Sequence, residues 1–557
     1  MLTLIKLSGT SRMAFLLCLI ITSAASFVSV LPELFIGYVI NTLSGSAKNN
    51  TLINAITEWT AYFSGISSLI ATGFGFFLLA SVLTTLMKDL SGYCATILSE
   101  KILSNTRRVL YAKLSRINYH EYMTLTKGQA VNTVMNDTSR LSLIFERPFY
   151  TILSDSFDLI WIAVFLSMID INILLILLCA VPIIYIASIK TGKAQKNIAD
   201  SIRSVDIRLT EKVEQTVSGY EVIKSLNAES TEVKKFEREL KSSLALRIRG
   251  AKNLSLFFPI EGCLRAVAIT AVGTYISLKV GESALSVGMI AVGILYSNKF
   301  FSPIRNISQY YQAIQKGLIS AEKIIDFLAL PEESLHAPGT QGSAMRQDRV
   351  QALVVKNLTF STRDKDIFSG LSFACHSGQF ILIKGRSGAG KTSLFRILLG
   401  FHDIPDGCIS INQHDINTYD RQQLRSMIAY VSQKPFIHND TVAHNICYPE
   451  TDAQATQLHE IMALLNLTHL ESPLIHCEEG KNLSGGEMAR ISFARALLRK
   501  PGILLLDETI ASLDKENTAC ILKSIEKINK NGTLVLMATH SNSTELLGMA
   551  DAVINIR

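Results

Sequence analysis

Six stretches of the chain, about 13–40, 62–87, 149–169, 171–190, 255–278 and 286–308, run almost without charge. Each is close to the ~20 residues that cross a bilayer as a helix. The intervals between them are unequal. A few residues separate the third stretch from the fourth and the fifth from the sixth, as in hairpins. About 60 polar residues with helical periodicity separate the second from the third and the fourth from the fifth. The pattern predicts an all-α membrane domain over 1–328, with helices that continue past the bilayer, turn near 118–130 (NYHEYMTLTKGQA) and 225–233 (SLNAESTEV), and return. LPEESLHAPGTQGSAMRQDR then breaks every period, so 329–350 reads as a linker. From 351 to 557 short β-rich runs alternate with helical ones, which predicts an α/β domain on a largely parallel sheet.

Composition changes this picture little. The 557 residues are 48% apolar and 18% charged, and mean hydropathy is +0.28. The net charge of +7 is spread among acidic residues with no aromatic-basic patch, so no nucleic-acid partner is expected. Its distribution is more informative. Arg107, Arg108, Lys113 and Arg116 fall in one long interval, and Lys190, Lys193, Lys196, Arg203 and Arg208 in the other. The opposite loops hold little beyond Lys48 and Lys279. That bias places both long intervals and both termini in the cytoplasm. The first apolar stretch follows a short basic start but is too long for the core of a signal sequence, and reads as a first membrane helix. Nine scattered cysteines without a CxxC pair suggest reduced thiols rather than disulfides or zinc.

Charges inside apolar spans cost several kcal/mol unless compensated. Arg265 and Lys299 each lie 13 residues from the outer end of their span, so both sit roughly 20 Å deep. Glu261 is one turn from Arg265, and Glu33 follows Pro32 in the first span. Structural pairing is one reading. The other is a cationic lining, incompletely neutralised, that favours an anionic cargo.

FILIKGRSGAGKTSLFRILLG carries the clearest chemistry. An apolar strand enters Gly385, Arg386, Ser387, Gly388, Ala389, Gly390, Lys391 and Thr392, and an amphipathic helix follows. Such a loop turns backbone N–H groups toward nucleotide phosphates, with the lysine as a point charge and the threonine hydroxyl on Mg²⁺. In GILLLDE a buried strand ends in two carboxylates: Asp507 for the Mg²⁺ shell and Glu508 to polarise the attacking water. A helix N-cap is the plainer reading of that acid pair. KNLSGGEMAR, with Ser484, Gly485, Gly486 and Glu487, fits a capping box, yet a helix start with two bare glycines is also an anion site.

These segments resemble the ABC transporter family. Residues 385–392 match the Walker A loop, GILLLDE the Walker B strand, and LSGGE the signature motif, with Glu487 where glutamine is commoner. YVSQKPF resembles the Q-loop with Gln433, ASLD the D-loop ending at Asp514, and ATHS the switch segment with His540. The resemblance implies ATP and Mg²⁺ as cofactors, with Glu508 and His540 catalytic and Thr392, Gln433 and Asp507 at the metal. It also implies that Ser484–Glu487 contact ATP held by a second chain. The chain would thus be a half-transporter, with a homodimer expected and a heterodimer the alternative.

Six spans with two long excursions are similar to the exporter-type (type IV) architecture. DETIASLD, GRSGAGKTSL and FFSPIRNISQYYQA are similar, over shorter stretches, to subunits of the cytochrome bd-assembly thiol exporter. The implied setting is a bacterial inner membrane, and the implied cargo a small molecule, peptide or lipid moved outward. No domain is seen before the first span, so a leader-cleaving exporter is not expected. An importer on the same fold remains an alternative, as does an ATP-gated regulator, although a pure switch needs neither Glu508 nor His540. One departure stands out: LTFSTRD places Thr362 where the family stacks adenine on an aromatic ring.

Overall fold

The computed structural model describes residues 12–43, 66–146, 148–281, 287–333, 350–362, 365–386, 388–449, 455–470, 477, 482–510, 514–540 and 544–556. It divides into two compact units: 1–115 with 126–330, and 116–125 with 331–557. The turn between the second and third expected spans therefore packs with the second unit.

The first unit is built on six long helices: α1 (Arg12–Leu43), α2 (Ile66–Leu114), α3 (Pro148–Ile169), α4 (Ile171–Ser218), α5 (Glu229–Gly281) and α6 (Val287–Ala329). Each expected span falls on one of them, apart from 62–65 and 286, which lie outside the described residues. Among the described residues four helices are long and apolar enough to cross a membrane, at Leu16–Gly37, Phe74–Leu114, Tyr150–Ile169 and Glu229–Lys279. A shorter apolar stretch, Ile171–Ile184, opens α4. The 49 residues of α2 extend to about 70 Å, more than twice the hydrocarbon thickness. Its polar end is the excursion that the charge pattern predicts.

Beyond the bilayer α4 and α5 run side by side, joined by Arg208–Glu239, Arg247–Asp206 and Lys212–Glu232. Such solvent-screened pairs set register more than stability. Within the bilayer the packed centre is apolar, with Val30, Leu166, Leu177, Val272, Tyr296 and Phe301 buried. Pro32, Pro182, Pro259 and Pro303 sit inside helices, where each removes one backbone donor and loosens the helix locally.

The second unit joins two sheets. β1 (Ala352–Thr362), β2 (Lys365–His376), β4 (Ile409–Ile411) and β5 (His414–Asp415) form an antiparallel sheet in the order β2-β1-β4-β5. β3 (Phe380–Lys384), β6 (Ile428–Val431), β7 (Ile503–Asp507), β8 (Leu534–Thr539) and β9 (Ala552–Asn555) form a parallel one in the order β6-β7-β8-β3-β9. β7 and β8 are buried along their whole length, as a parallel sheet covered on both faces requires. The helices that matter for the site are α7 (Lys391–Leu398), α8 (Gly485–Leu498) and α9 (Lys515–Lys530).

The turn 116–125 is tied to this unit by backbone and by rings. The Asn118 amide donates to Pro331 O at 3.0 Å, and the Glu333 amide to Arg116 O at 2.8 Å. The Tyr119 ring stacks on Phe401 with centroids 4.8 Å apart and 13° between planes, and meets His402 edge-on. Arg425 holds Glu333 through two guanidinium nitrogens. At the second expected turn, residues 225–233, α4 is followed by a short helix (Tyr220–Ser225) and α5 begins at Glu229. Val217, Tyr220, Val222 and Leu226 are exposed there. Of the expected linker, residues 334–349 lie outside the described residues.

Candidate functional site

Strand order brings the motifs together. β6, β7, β8 and β3 are parallel neighbours, so their C-terminal ends share one edge of the sheet. Gln433 lies just past β6, Asp507 and Glu508 end and follow β7, His540 follows β8, and the glycine loop follows β3. Ligands of parallel sheets gather at this edge.

Gly390, which caps α7, has φ +98°. A Cβ there would come within 2.3 Å of Ile367 Cγ2, so only glycine allows the turn. The turn buries Lys391, whose side chain is 5% exposed. Its Nζ donates to Gly385 O at 3.0 Å and Arg386 O at 3.3 Å and lies 3.6 Å from Glu508 Oε1. Gly388 and Ala389 complete the loop, while Ser387 lies outside the described residues.

The Thr392 hydroxyl donates to Asp507 Oδ2 at 2.8 Å. The Tyr430 hydroxyl donates to the same oxygen at 3.1 Å. Burial, with the Asp507 charge behind it, raises the Tyr430 hydroxyl well above the usual phenol range, so it remains a donor. Sequence reasoning missed Tyr430, although it stands three residues before Gln433 in a quoted motif.

Glu508 occupies left-handed backbone, φ +51°, uncommon for a residue with a side chain. Its Oε1 is 2.7 Å from His540 Nε2, and its Oε2 accepts from Gln433 Nε2 at 2.7 Å. His540 Nε2 also lies 2.9 Å from Lys391 Nζ. One ring nitrogen cannot accept from the lysine and donate to the carboxylate at once, so the tautomer sets which of the two Nε2 serves. Gln433, expected beside the metal group, meets Glu508, while Thr392 and Asp507 meet each other.

Ser484 caps α8 as the spacing predicts. Its hydroxyl accepts from the Glu487 amide at 3.2 Å, and Glu487 Oε2 accepts from the Ser484 amide at 2.7 Å. Two features of this helix start were not foreseen. His469 Nε2 lies 3.0 Å from Glu487 Oε1, and Arg490 donates to Asn517 on α9. Burial alone would raise the Glu487 carboxyl. Hydrogen bonds from His469 and from the Ser484 amide and hydroxyl outweigh burial and hold it at about 2. Asp514 caps α9, accepting from the Asn517 amide at 2.8 Å. Gly485 and Gly486 form the first turn of α8. The Thr362 side chain and residues 511–513 lie outside the described ones.

In the membrane unit Lys299 is paired with Glu33, at 2.5 Å, and also donates to Ser29 O at 2.7 Å. Among the described residues no ion pair joins Arg265 to Glu261. Lys299 is therefore not a free cation.

Both parts of the chain match known families. Residues 15–304 match the family described as ABC transporter transmembrane region, and 368–511 the one described as ABC transporter. A Rickettsia typhi protein named as an export ATP-binding/permease protein is 27% identical over 461 residues, 80% of this chain and 78% of that one. The ATP-dependent lipid A-core flippase of Escherichia coli K12 is 24% identical over 489 residues, 85% and 83% of the two chains. The structure of a bacterial Atm1-family ABC exporter with ATP bound superposes with a TM-score of 0.80 at 19% identity, covering 99% of this chain and 94% of that one. With a helical membrane region followed by an α/β ATPase on one chain, the protein belongs to the ABC transporter family as an exporter-type half-transporter that couples ATP hydrolysis to transport.

Proposed function

We propose that two copies of this chain form the working transporter in a bacterial inner membrane, with the ATPase units in the cytoplasm and cargo moved outward. The observation that carries this reading is the capped, glycine-bearing start of α8. Such a helix start suits an anion, yet the same chain already carries a phosphate loop at Gly385–Thr392. A second copy supplies the phosphate that this helix start would meet, with Ser484, Gly485 and Gly486 as donors.

Within each unit Lys391 and the loop amides hold the phosphates. Thr392 and Asp507 converge through hard oxygen atoms that suit Mg²⁺, and the pair would hold it there. That ion, when bound, offsets phosphate charge. Glu508 orients water, His540 and Gln433 position the carboxylate, and Asp514 fixes the start of α9. The turns at 118–130 and 225–233 carry closure of the ATPase units to the spans. Relatives named for export support the direction, and the lysine and arginine bias supports the orientation.

The test is purification of this chain alone in detergent, with mass and ATPase activity measured together. A dimer that hydrolyses ATP is the expected result. An inactive monomer overturns the homodimer and indicates a different second half.

A further inference from the structure

A cavity of about 480 Å³ lies within the membrane unit, bounded by helices α1, α2, α3 and α6. Part of its wall is apolar, from Phe77, Ile162 and Pro303. The rest is charged, with three carboxylates (Glu33, Asp155, Asp158) against two ammonium groups (Lys88, Lys299). Both lysines are committed. Lys299 is held by Glu33 and Ser29 O, and Lys88 lies 3.0 Å from Asp158 Oδ2. Asp158 also accepts from the Ser29 hydroxyl at 3.0 Å.

Among the described residues Asp155 is left without an ion pair. Its side chain is hydrogen-bonded by Asn306, a neutral donor. Asp155 and Glu33 are 8% and 9% exposed, and each keeps one carboxylate oxygen, Oδ2 and Oε2, with no hydrogen-bond partner. Two buried acceptors with unused capacity, and one negative charge in excess, are costly at membrane depth unless a ligand completes them.

We propose that this cavity binds the positively charged group of the cargo, a monocation such as an amine or quaternary ammonium on an apolar body. Asp155 is its counter-ion, and the open oxygens of Asp155 and Glu33 are its acceptors. The volume suits a molecule of drug size. The sign is opposite to that expected from Arg265 and Lys299 alone, because Lys299 is neutralised by Glu33 and Arg265 does not line the cavity. The assignment rests on the transport reading above and gives its cargo class.

A size-matched pair of ions tests it: tetraphenylphosphonium and tetraphenylborate, titrated against the intact chain in detergent without ATP. Binding is read from tryptophan fluorescence, Trp161 being the neighbour of Ile162 in the wall. The expected result is at least tenfold tighter binding of the cation. Asp155→Asn should weaken cation binding at least tenfold, and Ser302→Lys, which adds a positive charge to the wall without breaking an ion pair, should abolish it. Equal affinity for the two ions overturns the proposal. So does unchanged cation affinity in Ser302→Lys, which decides the matter if Asp155→Asn does not fold. Binding of the cation by a chain that shows no ATPase activity would instead count against the homodimer proposed above and leave the site standing.

Discussion

Gln433 and Glu508 meet directly, amide Nε2 to carboxylate Oε2 at 2.7 Å, although they follow different strands 75 residues apart. With His540 on the other oxygen, the Glu508 carboxylate is held from both sides. A carboxylate fixed in this way is suited to orient water, whereas in the proposed site Lys391 and the loop amides would hold the phosphates. Glu508→Gln should therefore lower ATP turnover by at least 100-fold while leaving ATP affinity within a few-fold of wild type. Steady-state hydrolysis and equilibrium nucleotide binding check the two halves. Turnover within a few-fold of wild type would remove Glu508 from the catalytic role.

In the proposed site Tyr430 would act through Asp507. It shares Oδ2 with Thr392 and stays a donor because burial keeps its hydroxyl protonated. Outer partners of metal-binding carboxylates typically change metal affinity by about 10–100-fold when removed. Tyr430→Phe should raise the Mg²⁺ concentration for half-maximal hydrolysis by roughly tenfold, with the maximal rate changed much less. A Mg²⁺ titration at saturating ATP separates this from general damage, which would lower the maximum and leave the midpoint in place.

The glycine loop, the strand ending in Asp507 and the capping box at Ser484 were all legible in the sequence, because each depends on local spacing. Apolar runs were equally legible, since a bilayer imposes length and polarity on each helix separately. What was not legible depends on helix rotation and on contacts across the chain. Structural pairing was one reading of Lys299 and Glu33, and it is the one found, but spacing gives depth and not facing, so the sequence did not choose between pairing and a cationic lining. Tyr430 was quoted and passed over, because nothing local says that its ring reaches the next strand. His469 escaped for the same reason, standing 18 residues before the carboxylate it meets. The grouping of 116–125 with the ATPase unit is likewise a matter of packing, not of chain order.

Tyr119 belongs to the membrane excursion in sequence and to the ATPase unit in packing, stacked on Phe401 with Arg396 5.7 Å from the ring centroid. Ring pairs of this kind contribute about 0.5–1.5 kcal/mol beyond burial, enough to hold a short turn in place. Tyr119→Ala should keep basal ATPase activity within about twofold while reducing its stimulation by transported cargo several-fold. Tyr119→Phe, which preserves the stack, should behave as wild type. If the alanine variant retained full stimulation, the stack would be structural only.

In the proposed dimer the His469–Glu487 contact would bear on how tightly ATP is held. The Glu487 carboxylate stays ionised down to about pH 2, so at neutral pH it places a negative charge at the start of α8. There it also accepts from the Ser484 hydroxyl, at 2.8 Å. That charge opposes an incoming phosphate, and a hydrogen bond donated by His469 Nε2, 3.0 Å away, would draw part of it off. Two unit charges a few ångströms apart near a protein surface interact by about 1–4 kcal/mol, so the effect is measurable in affinity. Glu487→Gln keeps the capping geometry, because glutamine serves as well as glutamate at that position of the box. It should lower the apparent KM for ATP by about three- to tenfold with little change in kcat. His469→Ala should do the reverse, raising KM by a similar factor. The double variant should match Glu487→Gln, since the histidine has no carboxylate left to offset. Initial-rate measurements across ATP concentration give all three values. Equal shifts from His469→Ala in the wild-type and Glu487→Gln backgrounds would show that the two residues act independently, and the charge-compensation account would fail.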